Sequence, residues 1–153
     1  MLRHLIVGIG NPLRSDDGLG WCVARELARE LVRDDIQVVA AHQLTPEISE
    51  LASRAELVLF IDAAHRGKPG TLKCEPITPS AAPGRHSHEL TPAGVLQLAQ
   101  ELYGRCPPAY LLTIAAESFD TGDTLSTAVA GALPELKKKI RNFIESRKEG
   151  EER

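Results

Sequence analysis

Residues 8 to 20, Gly-Ile-Gly-Asn-Pro-Leu-Arg-Ser-Asp-Asp-Gly-Leu-Gly, follow the apolar run Leu5-Ile6-Val7 and lead into an amphipathic segment. A chain that leaves a strand through Gly8 and Gly10 and enters a helix through Gly18 and Gly20 is making a tight strand-to-helix turn. Its backbone there can approach a ligand or another element closely. Asp16 and Asp17 add two carboxyls at the expected mouth of an α/β sheet, where such folds place their sites. The stretch is not a dinucleotide loop, because Leu13 stands where the third glycine belongs. It is not a phosphate loop either: no Gly-Lys-Ser or Gly-Lys-Thr follows, and adjacent acids repel a phosphate. Acids in place of donors suit a cation, or acid–base chemistry on a neutral group.

The rest of the chain alternates strand-like and helix-like patterns. Strand one is expected over His4 to Gly8, and the helix after the glycine turn over Gly18 to Leu31, with Leu19, Val23, Leu27 and Leu31 in one apolar row. A single acid at 16 or 17 would cap this helix; two leave one to spare. Ile36 to Ala41 reads as the second strand, and Glu47 to Arg54, opened by Pro46, as a short helix burying Ile48, Leu51 and Ala52. The continuous apolar run Leu57 to Ile61 reads as a strand covered on both faces, closed by Asp62 at the carboxyl end of the sheet. Thr71 to Ile77, with its charges, reads as an edge strand.

From Thr78 to Glu89 the chain is rich in Pro, Ser, Ala, Gly and His, and a loop of that length is more often functional than idle. It carries His86 and His88 and ends at Leu90-Thr91-Pro92. There Thr91 is the expected N-cap and Pro92 the start of a helix to Leu102 that buries Val95, Leu98, Ala99 and Leu102. After Gly104 the last strand spans Ala109 to Ala116. Glu117, Asp120 and Asp123 follow, some of them expected to cap a final helix from Leu125 to Arg147. Its buried stripe is Val129, Leu133, Leu136, Ile140, Phe143 and Ile144. Pro134 should kink or restart it, Lys137-Lys138-Lys139 should be a solvated face, and residues 148–153 a disordered tail. The sum is one domain over residues 1–147, an αβα sandwich of three layers around a mostly parallel, twisted five-stranded sheet.

Charge and composition then remove whole classes of function. A net charge of -3 gives no electrostatic reason to expect nucleic acid or anionic lipid, and 4% aromatic residues leave little for stacking bases. No apolar run approaches the roughly 18 residues of a membrane span, and Met1-Leu2-Arg3-His4 enters a strand without the apolar core of a signal peptide. Cys22, Cys74 and Cys106 are odd in number and contain no Cys-x-x-Cys pair, which argues against a disulfide scaffold or zinc ribbon and for a cytoplasmic protein.

Asp17, Asp62 and His88, or its neighbour His86, can converge on one sheet edge from three loops. Two carboxyls and an imidazole suit a divalent transition metal with open positions, or the positioning of a water for attack on a carbonyl. No Gly-x-Ser-x-Gly elbow is present, and Cys22 has no evident base. Four pieces, in order, resemble the hydrogenase maturation proteases. They are Gly8-Ile-Gly-Asn11, then Asp16-Asp17-Gly18-Leu-Gly20, Asp62-Ala63, and Ser87-His88-Glu-Leu-Thr-Pro92. The likeness runs on to Glu117-Ser-Phe-Asp and Leu125-Ser126.

The resemblance implies an endopeptidase, of the aspartyl type in its reliance on carboxyls, that removes a C-terminal extension from the large-subunit precursor of a nickel–iron hydrogenase. It implies cleavage after nickel insertion, with the nickel supplied by the substrate and no organic cofactor. It also implies that Asp17, Asp62 and His88 are the catalytic, metal-contacting residues; Asp17 stands where some relatives have glutamate. Ser87-His88 followed by Leu-Thr-Pro favours His88 over His86. A rival reading is a nickel-sensing or chaperone module that binds the immature large subunit without cutting it. A third, a small-molecule hydrolase or nucleoside-binding enzyme, would need an enclosed apolar pocket.

Overall fold

The apolar runs at residues 4–9 and 57–61 become the centre of the sheet, where both faces are covered and no alternation is needed. The computed structural model describes residues 2–81 and 89–152. Its elements in order are β1 (His4–Ile9), a 3-10 turn (Ser15–Gly18), α1 (Leu19–Glu30), β2 (Ile36–Ala41), α2 (Glu47–Arg54), β3 (Leu57–Ala64), β4 (Leu72–Ile77), α3 (Pro92–Tyr103), β5 (Ala109–Ala115) and α4 (Thr127–Glu152). The sheet order is β2-β1-β3-β5-β4, parallel except for β4, which runs antiparallel along β5 at the edge. The expected five-stranded α/β sandwich is the observed one.

Each face of the sheet carries its own core. Leu19, Val23 and Leu27 of α1 meet Val129, Leu136 and Ile140 of α4 over Ile6, Leu59 and Ile61. On the other face Ile48 and Ala52 of α2 join Val95, Leu96 and Ala99 of α3 over Leu5, Val58 and Phe60. Each large side chain so buried contributes roughly 1.5–3 kcal/mol. Between β1 and β3 the connections diverge, one to either side. That crevice is the topological switch point, where open α/β sheets bind their ligands.

Local punctuation reads true in α3: Thr91 Oγ1 accepts from Gly94 N at 3.0 Å, Pro92 opens the helix, and Gly104 ends it at φ 70°. The buried stripe of α3 differs from expectation, since Leu96 is buried while Leu102 is 61% exposed at the helix end. The helix α4 begins at Thr127 rather than Leu125, runs through Pro134 as one helix, and keeps its course past Arg147 to Glu152. Its lysines are not all solvated. Lys137 Nζ lies 2.5 Å from Glu26 and 3.0 Å from Glu30, and Arg141 lies 3.0 Å from Glu30, so the pair α1–α4 is also tied by charge.

Candidate active site

The glycine turn holds its shape because backbone packs on backbone. A methyl at Gly20 would collide with the carbonyl oxygens of Ile61 and Ile9, so only glycine lets α1 begin directly over β1 and β3. Gly10 adopts φ +152°, and a side chain there would strike the carbonyl of Asp17. Neither Asp16 nor Asp17 caps α1, contrary to expectation. The two acids part company instead.

Asp16 is fully buried and turned away from the crevice. Its carboxyl accepts hydrogen bonds from Glu117 N (2.8 Å), Ser118 N (3.1 Å) and Ser126 N (2.7 Å). Burial alone would raise its pKa, but these bonds, chiefly those of Ser126 and Glu117, together outweigh it and hold the carboxyl below the usual range. The same two loops are laced by Ser15 N to Gly122 O (2.8 Å), Gly122 N to Leu13 O (2.9 Å) and Asp16 N to Ser118 O (3.1 Å). The start of α4 is therefore served by Asp16 at Ser126 N, and by Ser126 Oγ at Val129 N (3.3 Å), rather than by the acids of its own loop.

Asp17 faces the crevice. Its Oδ2 accepts from Asn11 N at 2.9 Å, and Asn11 Oδ1 in turn accepts from Leu13 N at 2.9 Å, which folds the turn around the carboxyl. Across from it stands Asp62, which lies inside β3 rather than after it. The β1 ladder ends at Ile61, whereas β5 stays paired through Ala64, so Asp62 is the first residue past the point where the sheet opens. Its carboxyl shares the face of Val58 and Phe60. Desolvation pushes its pKa up to about 7; the bond from Ala63 N (2.8 Å) opposes this, while the charges of Asp17 and Glu89 add to it.

A cavity of about 500 Å³ holds Asp17, Asp62, Glu89, Arg14, His42 and His65 on its walls. A second, of about 340 Å³, continues past Asp62 to Leu44, Leu90 and Pro92 at the start of α3. The cleft is polar where chemistry would occur, unlike the apolar pocket that a small-molecule site requires. Four of these residues, Arg14, His42, His65 and Glu89, were not singled out from the sequence. His42 and His65 each follow a β-strand directly, and that position at the carboxyl edge is the signal that could have found them. His65 stacks on Phe119 with ring centroids 4.3 Å apart and planes 11° from parallel. His42 meets the edge of Trp21 at 6.3 Å.

The two expected carboxyls thus share one cleft, whereas His88 and its rival His86 lie outside the described residues. Among the described residues no three His, Cys, Asp or Glu side chains cluster as a metal site. The cysteines are unpaired, and burial raises all three thiols, which leaves them poor nucleophiles. No described helix is long and apolar enough to cross a membrane.

No protein-family model matches the chain, and neither does any curated protein. Solved structures do. The [NiFe] hydrogenase maturation protease HycI from Thermococcus kodakarensis KOD1 is 26% identical over 94% of this chain and 92% of its own, with a TM-score of 0.75. The hydrogenase maturating endopeptidase HybD from E. coli is 22% identical over 95% and 94%, at 0.74. A hydrogenase 2 maturation peptidase from a Thaumarchaeota archaeon is 22% identical over 93% and 97%, at 0.69. The chain has the fold of these proteases along nearly its whole length, and the resemblance read from its motifs is borne out.

Proposed function

We propose that this chain is a hydrogenase maturation endopeptidase, cutting the C-terminal extension from a nickel–iron hydrogenase large-subunit precursor in the cytoplasm once nickel is in place. In this reading Asp17, Asp62 and His88 contact the precursor's nickel, a borderline ion suited to two carboxyls and an imidazole. The observation that carries it is the meeting of Asp17 and Asp62, from separate segments, in one cleft at the switch point of a protease fold.

The pKa of Asp62 gives the reading a mechanism. A carboxyl near 7 keeps a share of its protons at neutral pH and gives them up to an arriving cation, so engagement of nickel-loaded precursor is coupled to proton release. The same poise lets it exchange a proton with a water in the cleft as that water attacks the peptide carbonyl. Asn11 N fixes Asp17, and two acids that face one cleft from separate segments would orient a metal-marked peptide against them.

Mass spectrometry of nickel-loaded precursor before and after incubation with the purified protein tests this. Loss of a C-terminal peptide is expected. An unshortened precursor in stable complex with the protein would instead establish the non-cleaving chaperone, and an unshortened, unbound one would end both readings.

A further inference from the structure

The two outer strands of the sheet are protected unequally. β4 carries Lys73, Glu75 and Pro76, charges and a proline that blunt an exposed edge against pairing. β2 reads Ile36-Gln37-Val38-Val39-Ala40-Ala41 and has neither charge nor proline. Among the described residues only β1 pairs with it. Asp35 and Ala41 turn their carbonyls toward β1, accepting from Arg3 N, His4 N and Gly10 N. Alternate residues of a strand turn the same way, so Val38 and Ala40 direct their N–H and C=O groups outward, away from the sheet. Immediately past Ala41 the chain enters the cleft, where His42 and Gln43 stand on the same wall as Asp62.

We infer that the outer edge of β2 is the docking site for the substrate polypeptide, which adds to the sheet as an extended strand and is led by it into the cleft. The inference rests on the peptidase reading above. An unprotected edge is a liability in a protein that pairs with nothing; one that ends beside two carboxyls is a ready-made track for a peptide, with main-chain hydrogen bonds giving affinity. Strand addition also holds the peptide extended, with its carbonyls accessible at the cleft. The occupant is thus an unstructured segment next to the cut site of the precursor, not a folded surface. Trp21 meets His42, itself on the cleft wall, and is covered by Arg25 at 4.9 Å.

The variant Ala40→Pro removes one outward N–H and leaves the bonds to β1 in place, a position where an edge strand tolerates proline. Processing of nickel-loaded precursor by this variant should show kcat/KM lowered at least tenfold, mainly through KM, with its melting profile near that of the wild type. Should the variant prove unfolded, wild-type enzyme and precursor peptides N-methylated one amide at a time decide the matter: loss of binding at alternate residues only is expected. Unchanged KM for Ala40→Pro, or indifference to every N-methylation, overturns the proposal. So does concentration-dependent dimerisation of the wild type that Ala40→Pro abolishes, since a second copy would then own the edge. If the wild type cuts no precursor at all, the peptidase reading has failed. Alternate-residue sensitivity in peptide binding would still support the docking edge.

Discussion

Asp16 and Asp62 are both carboxyls withdrawn from water, and their surroundings push them in opposite directions. Asp16 receives three backbone amides from a loop a hundred residues away in sequence and stays ionised. Asp62 is desolvated by burial, receives one amide, from its own neighbour, and faces two further acids, so its proton is held up to about pH 7. Burial raises both; at Asp16 the donated bonds outweigh it, whereas at Asp62 burial prevails over a single bond. The first environment is how a protein fastens a loop. The second stores an unfavourable charge at a place where water and substrate can reach it, as functional sites do.

The largest effect should come from Asp62→Asn, which keeps the shape and the bond from Ala63 N but can neither carry charge nor exchange a proton. Cleavage of the precursor should fall on the order of 10²–10⁴-fold, read by mass spectrometry over time, while the fold persists. Near-normal cleavage would erase the functional half of the contrast. Asp16→Ala should do the reverse. It leaves three amides without their acceptor, and denaturant unfolding should show a loss of about 3–5 kcal/mol; a loss under 1 kcal/mol would mean that the loops are fastened elsewhere.

Much of this layout was legible in the sequence because it is locally encoded. Apolar runs announced β1 and β3, Thr91-Pro92 and Gly104 bracketed α3, and the acids of the glycine turn marked the site. What was not legible depends on distant partners. Asp16 and Asp17 are chemically identical neighbours, and only the return of residues 117–126 assigns one to architecture and one to the cleft. Asp62 reads as the end of a strand because the apolar run stops there, yet pairing with β5 carries the strand on to Ala64. Leu102 fits a helical stripe perfectly well, yet it ends 61% exposed.

Acidity separates the two carboxyls with opposite signs. The folded pKa of Asp62 lies above its unfolded value near 3.8, so the folded state binds the extra proton between pH 4 and 7. Stability contributed by that proton is complete below the unfolded pKa and is lost as pH rises through about 7. Asp62→Asn escapes the loss, and above pH 7 it should be more stable than the wild type by on the order of 2–4 kcal/mol, with the gap closing toward pH 4. Asp16, lowered, contributes stability that is present above its unfolded pKa and lost as pH falls through the folded one. Asp16→Asn should therefore differ most from the wild type at neutral pH and converge with it in acid. Thermal melts of the three proteins from pH 3 to 8.5 check both trends, and parallel curves would deny the difference in environment.

The smallest effect should fall where the two regions touch. Phe119 belongs to the loop that Asp16 fastens, and its ring lies on His65, three residues beyond Asp62 in the wall of the cleft. Phe119→Leu keeps most of the apolar volume and removes the stacked ring, which should cost about 1 kcal/mol and lower kcat/KM a few-fold as His65 loses its support. If the fastened loop holds the cleft wall through this ring, the change should cost less in an Asp16→Asn background, where the loop is already loose. A double-mutant cycle measures that coupling, for which about 0.5–1 kcal/mol is expected. Strict additivity would mean that the clamp at Asp16 and the chemistry around Asp62 are neighbours without being mechanically joined.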